Sequence, residues 1–138
     1  MIETHHLDFQ TQGTNDIIRI NDEVQRVVAK SGVREGSVLL FLQSTTASLT
    51  IIEHEEGLLT DFKNAMERLV PRDSEYEHEK AWHDGNGHSH IRATIMGQSL
   101  TIPISGSSML LGRWQQLILA EFDVKPRKRT IIVQIQGD

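Results

Sequence analysis

A chain of 138 residues that is 38% hydrophobic has room for one domain, spanning 1–138, with a core of its own. Its formal charge of -5 argues against nonspecific nucleic-acid binding, and its lack of cysteine removes disulfides, thiolate nucleophiles and cysteine-held metal sites, so any metal would need histidine and carboxylate ligands. No apolar run approaches the ~18 residues of a membrane span and Met1 to His6 lacks a signal-peptide pattern, so the chain reads as cytoplasmic.

Taken in order, Leu7 and Phe9 alternate as in a strand, and Ile17 to Ile20 is a second short one. Asn21 reads as the N-cap of a helix carrying Val24, Val27 and Val28 on one face and ending at Gly32. Ser37 to Gln43 reads as a buried strand, with Leu49 to Glu53 as its partner. Phe62, Ala65, Met66 and Leu69 share a face of a second helix that has Asp61 in its first turn and stops before Pro71. Arg72 to Gly87 reads as a polar loop, followed by a short helix from His88 to Met96 closed by Gly97. Strands are predicted over Ser99 to Ile104, Met109 to Leu111, Trp114 to Phe122 and Thr130 to Gln136, with Lys125 to Arg129 a solvated basic turn. Strands gathered at the end without βαβ alternation predict an α+β domain, an antiparallel sheet or sandwich with two or three helices.

Chemistry concentrates around the polar loop. His78, His88 and His90 flank it, and three imidazoles there could form a metal site with positions left open. His88 and His90 are two apart, so both can face one ligand only if the first lies in the cap or loop. Glu53, ending a strand, and Asp61, starting a helix, could complete a metal shell or hold a histidine in one tautomer. The hydroxyl-rich run Ser44-Thr45-Thr46 could bind phosphate oxygens, or simply form a turn with local hydrogen bonds. His54 would point away from Glu53 if the strand continues; His5, His6 and His83 carry no assigned role. On residue type alone, Trp114 is a core aromatic with a satisfied indole donor. There is no Walker loop, dinucleotide glycine fingerprint or Gly-x-Ser-x-Gly elbow.

Several of these segments, in order, resemble the YjbQ-like family, often labelled secondary thiamine-phosphate synthase enzymes. Thr45-Thr46-Ala47 with Leu49-Thr50-Ile51-Ile52-Glu53 is similar to the family's His-Thr-Thr-Ala and Thr-Ile-Asn-Glu, and Asp61 to its aspartate in the next helix. Tyr76-Glu77-His78 matches Tyr-x-His, Asn86-Gly87-His88-Ser89-His90-Ile91 resembles Asn-Ala-His-Ala-His-Leu, and Gly97-Gln98-Ser99 fits the glycine-x-serine that follows. Leu111-Gly112-Arg113-Trp114-Gln115 resembles Leu-Gly-Thr-Trp-Gln. Departures fall at Ser44, where the family has histidine, at Ile52 and His54, where it has asparagines, and at Ser108 in place of an arginine. The resemblance implies a homotrimer with a histidine and carboxylate cleft that holds a metal or an anion, with Trp114 and Gln115 in or beside it. It also implies a weak thiamine-phosphate synthase activity, the joining of hydroxymethylpyrimidine pyrophosphate and thiazole phosphate with loss of pyrophosphate. On that reading His78, His88 and His90 hold a divalent metal (zinc or magnesium) or the pyrophosphate, Glu53 and Asp61 support them, and Ser44, Thr45 and Thr46 add donors. The same ligands would also suit a metal-assisted hydrolase of a small phosphorylated or amide metabolite, or a non-enzymatic trimeric metal- or anion-binding protein.

Overall fold

The computed structural model describes residues 1–138 as two antiparallel sheets backed by helices. The larger sheet has the order β1 (Ile2–Gln10), β8 (Lys128–Gly137), β3 (Glu35–Leu42), β5 (Ser99–Ser105) and β6 (Ser108–Met109). The smaller has β2 (Ile17–Arg19), β7 (Gln116–Glu121) and β4 (Ala47–Ile52). The alternation of strand side chains fixes what each face meets. Val38, Leu40 and Leu42 of β3 with Ile131, Val133 and Ile135 of β8 point inward, onto Leu49, Leu117 and Leu119 of the small sheet and Val24 and Val28 of α1 (Asn21–Ser31), forming the main core. The other face of the small sheet presents Ile118, Ala120 and Phe122 to Met66 of α2 (Glu56–Leu69) and Ala93 of α4 (Gly87–Met96). No helix is long and apolar enough to cross a membrane.

The α+β reading with antiparallel sheets holds, but there are four helices rather than two or three. The additional one, α3 (Glu77–Trp82), lies inside the segment read as loop. It buries none of its residues and so has no apolar period to betray it. Leu49 to Glu53 was expected to pair with the strand before it, but β4 pairs with β7 in the other sheet, because residues 43–46 carry the chain from one sheet to the other. Asn21 is the first residue of α1 rather than its cap; its Oδ1 accepts from the Leu117 N–H at 2.6 Å, tying the helix to β7. Asp61 lies in the second turn of α2, not the first, because Glu55 starts that helix by accepting from the N–H groups of Gly57 and Leu58.

Candidate functional site

The corner between α3 and α4 is built on a contact that only glycine permits. The Gly87 N–H donates to Glu79 Oε1 at 2.8 Å, so a carboxylate from α3 satisfies the first turn of α4. A Cβ on Gly87 would lie 2.6 Å from Tyr76 Cβ and 2.7 Å from Glu79 Oε2, closer than side chains approach. This seating brings the His78 and His90 rings to a centroid separation of 4.4 Å. His78 Nε2 is 3.4 Å from Asp84 Oδ1, and one ligand atom each from His78, Glu79 and Asp84 lie within 4.8 Å of one another. Outside them opens a cleft of about 590 Å³ lined by Glu75, Tyr76, Glu77, His78, Gly87, His90 and Ile91.

His88 does not join this pair. It enters the interior, 1% exposed, with its ring 6.4 Å from that of Tyr76, because residues two apart on a helix face nearly opposite sides. The three-histidine centre expected from the sequence is therefore two histidines with Asp84 and Glu79. Burial, reinforced by the positive charges of Arg92 and Arg72, pushes the His88 imidazole below its ordinary value and keeps it neutral. Arg92, also 1% exposed, donates from Nε and Nη2 to the Val70 carbonyl and from Nη2 to Glu67 Oε2 at 2.9 Å, closing the end of α2 onto α4. Burial raises the Tyr76 phenol, whose hydroxyl donates to Pro71 O.

Ser44, Thr45 and Thr46 lie beside a buried polar network. Arg129 Nη1 donates to Ser44 Oγ at 2.7 Å and Nη2 to Thr46 Oγ1 at 2.8 Å, while the same guanidinium pairs with Glu121, which is fully buried. The basic turn is thus not wholly solvated: Arg129 is 8% exposed and Arg127 Nε donates to Asp123 at 2.9 Å. Thr46 Oγ1 donates onward to Asp123 Oδ2 at 3.2 Å, and Asn86 Nδ2 to Asp123 Oδ1 at 3.3 Å. Burial alone would raise the Asp123 carboxyl, but the Val124 N–H, the Asn86 amide and Arg127 outweigh it and hold it below the ordinary carboxylate value. Thr45 is exposed and lines a separate groove with Ser44 and Gln98.

The structure brings neither Glu53 nor Asp61 to the histidines. β4 runs six residues between Thr46 and Glu53, roughly 20 Å at the usual strand rise, and the network reaching Asn86 is at the Thr46 end. Glu53 lines another cleft, of about 420 Å³, with Arg19, His54, Arg113 and Trp114. Asp61 is exposed on α2 and its side chain makes no hydrogen bond or ion pair. Trp114 precedes β7 rather than starting it, and it is a surface aromatic, 61% exposed, with the Arg113 guanidinium 4.9 Å from its ring centre. Gln115 accepts from the Gly112 N–H at 2.7 Å and closes that turn.

The sequence profile of the family described as UPF0047 protein YjbQ-like matches residues 5–138. The chain belongs to that family. A UPF0047 protein of Archaeoglobus fulgidus is 39% identical over 93% of this chain and 97% of its own length, and one of Methanothermobacter thermautotrophicus is 37% identical over 99% and 93%. Among solved structures, a YbjQ-like protein from Sulfolobus solfataricus superposes with a TM-score of 0.90 at 28% identity over the whole of both chains. A YjbQ/UPF0047 family protein from Clostridium acetobutylicum superposes with a TM-score of 0.87 at 32% identity, over 96% of this chain and 99% of its own.

In this YjbQ-like chain, sequence reasoning missed Glu79, Asp84, Asn86 and Asp123 as partners of the site. Two signals were available. Glu121 and Asp123 interrupt the apolar run from Leu117 to Phe122 at its end, as buried acids with a partner do, and Glu79 lies one helical step from His78. That Asp84 and Asn86 would meet His78 depended on the left-handed turns at His83 and Gly85, with φ of 56° and 70°, which no periodicity encodes.

Proposed function

We propose that the protein is a metal-assisted enzyme acting on a small phosphorylated metabolite in the cleft between α3 and α4. The specific reaction we favour is the thiamine-phosphate synthase displacement that the family resemblance implies. The observation that carries the reading is the meeting of His78 with Glu79 and Asp84 beside a cleft that His78 and His90 both line. Glu75 and Glu77 also line it, so a phosphate would meet repulsion unless a cation reversed the local sign. The donors present suit a divalent ion: one imidazole nitrogen and carboxylate oxygens. When bound, such an ion would supply charge neutralisation for a departing pyrophosphate.

The chain's own residues would do the rest. His90 offers a ring N–H to a pyrophosphate oxygen, and Tyr76 and Ile91 give an apolar wall for a heterocycle. In the displacement, the thiazole nitrogen donates its electron pair to the pyrimidine methylene carbon as the carbon–oxygen bond to pyrophosphate breaks, and that electron pair leaves with pyrophosphate. No protein nucleophile is required, because the thiazole nitrogen is itself the attacking group. The homotrimer also remains a proposal; the outer face of the larger sheet supports it, since Leu39 and Phe41 are 38% and 46% exposed there beside Ile132. Tag-free protein with added divalent metal should form thiamine phosphate from the two substrates, and His78→Ala/His90→Ala should not. Equal product from both proteins would sink the synthase reading, and turnover of a single phosphorylated compound would favour the hydrolase instead.

A further inference from the structure

We infer that the cleft at the end of the smaller sheet, lined by Glu53, Arg113 and Trp114, binds a free α-amino acid with an aromatic side chain. Arg113 takes its carboxylate, Glu53 its ammonium group, and the Trp114 ring stacks on its side chain. This site shares no residue with the cleft between α3 and α4 and needs no metal there.

The cleft, of about 420 Å³, lies within the roughly 300–1,000 Å³ usual for small-molecule sites. Its walls are fixed by local bonds. Ile52 pairs with Gln116, which sets the chain after β4 against the turn before β7. In that turn the Gln115 N–H donates to the Gly112 carbonyl at 3.1 Å while Gln115 Oε1 accepts from the Gly112 N–H, so Arg113 and Trp114 are held from both sides. Two of the charges in the cleft are already committed within the protein. Arg19 donates from Nε to Gln116 Oε1 and from Nη1 to Asp22 Oδ2, and the Glu55 carboxylate accepts from the N–H groups of Gly57 and Leu58. The other two are not. Arg113 rests over the Trp114 ring at 4.9 Å and Glu53 lines the same cleft, yet neither side chain makes a hydrogen bond or an ion pair. A guanidinium offers paired donors that match a carboxylate, and a carboxylate accepts from an ammonium group. An anion alone would satisfy Arg113 and be repelled by Glu53, and a cation alone would do the reverse. A zwitterion satisfies both, so the charge pattern selects for one. Trp114 supplies the third contact: it is 61% exposed, so much of its ring stays open beside Arg113, and an aromatic side chain laid on it takes apolar surface of both rings out of water. Arg113 and His54, both in this cleft, stand where the family motifs have threonine and asparagine, so its cationic side is this chain's own.

Arg113 and Glu53 stay in contact with water, so a dissociation constant of about 1 mM is expected. Trp82→Phe leaves Trp114 as the one tryptophan, and in that parent its fluorescence and its indole N–H resonance read the site directly. L-phenylalanine should change both signals saturably. Phenylpropionate, which lacks the ammonium group, and phenethylamine, which lacks the carboxylate, should each bind about tenfold more weakly. L-alanine, which lacks the ring, should lose about as much. Arg113→Ala and Glu53→Gln change exposed side chains and should each weaken L-phenylalanine binding by about tenfold, and Glu53→Gln should also erase the preference over phenylpropionate. Adding His78→Ala/His90→Ala should leave the affinity unchanged, which separates this site from the metal reading of the other cleft; loss of binding there overturns that independence. Equal binding of either single-charge analogue, or of L-alanine, overturns the amino-acid assignment, as does full affinity in Arg113→Ala or Glu53→Gln. No saturable change in either signal by about 10 mM L-phenylalanine overturns the site itself.

Discussion

Replacing Gly87 by alanine perturbs the seat of the site at a point where the opposing terms can be weighed. The residue is helical, so on propensity alone alanine would gain about 1 kcal/mol. Against that, the new Cβ would lie 2.6 Å from Tyr76 Cβ and 2.7 Å from Glu79 Oε2. The first contact is with the root of a side chain, so α3 must move as a body, at an overpacking cost of about 1–3 kcal/mol. That movement also stretches the 2.8 Å bond from the Gly87 N–H to Glu79, a bond to a charged acceptor, typically about 1.5–3 kcal/mol. The two costs overlap, because one shift causes both, and the expected net loss is about 1–3 kcal/mol. A thermal melt should fall by about 3–10 °C in a domain of this size. Amide exchange over Glu77–Trp82 should accelerate more than in the β strands, since α3 buries none of its own residues and is held largely through this contact. An alanine variant as stable as wild type, with unchanged exchange in α3, would refute the idea that glycine is needed for this seating.

Two further outcomes follow from the interior. The folded state depresses the His88 imidazole below its ordinary 6.5, so the unfolded chain takes up the proton first, and stability attributable to His88 is complete above that pH and lost as pH falls below it. Urea unfolding from pH 8 to 5 should show this decline, and His88→Asn should flatten it; an identical slope in both proteins would mean the ring is not held neutral. Glu121→Gln should cost about 3–5 kcal/mol, because it leaves the Arg129 charge buried without its partner, whereas Glu121→Met/Arg129→Met should recover much of the loss. Chemical denaturation checks both, and a single variant as stable as the double would show that the pair is not desolvated.

Much of the fold was legible because it follows from repeating local patterns. Val24 and Val28 mark α1, Met66 marks α2, and the alternation from Thr130 to Gln136 marks β8, since burial selects for period 3.6 or 2 whatever the distant partner is. Strand partners were less legible: β4 joins β7 rather than the strand before it, a choice made by how the two sheets bury their faces together. α3 was invisible for the converse reason, having no buried face. The candidate site divides in the same way. Histidines around a glycine-rich turn announced chemistry, and the sequence by itself determined that His78 and His90 would be near it. Only the tertiary structure decided that His88 turns inward, that Glu53 and Trp114 line a different cleft, that Glu79 and Asp84 meet His78, and that Asn86 reaches Asp123. The Asn86–Asp123 contact joins residues 37 positions apart, and the hydrogen-bond partner of a buried polar group is set by the space it shares rather than by the spacing that leads to it.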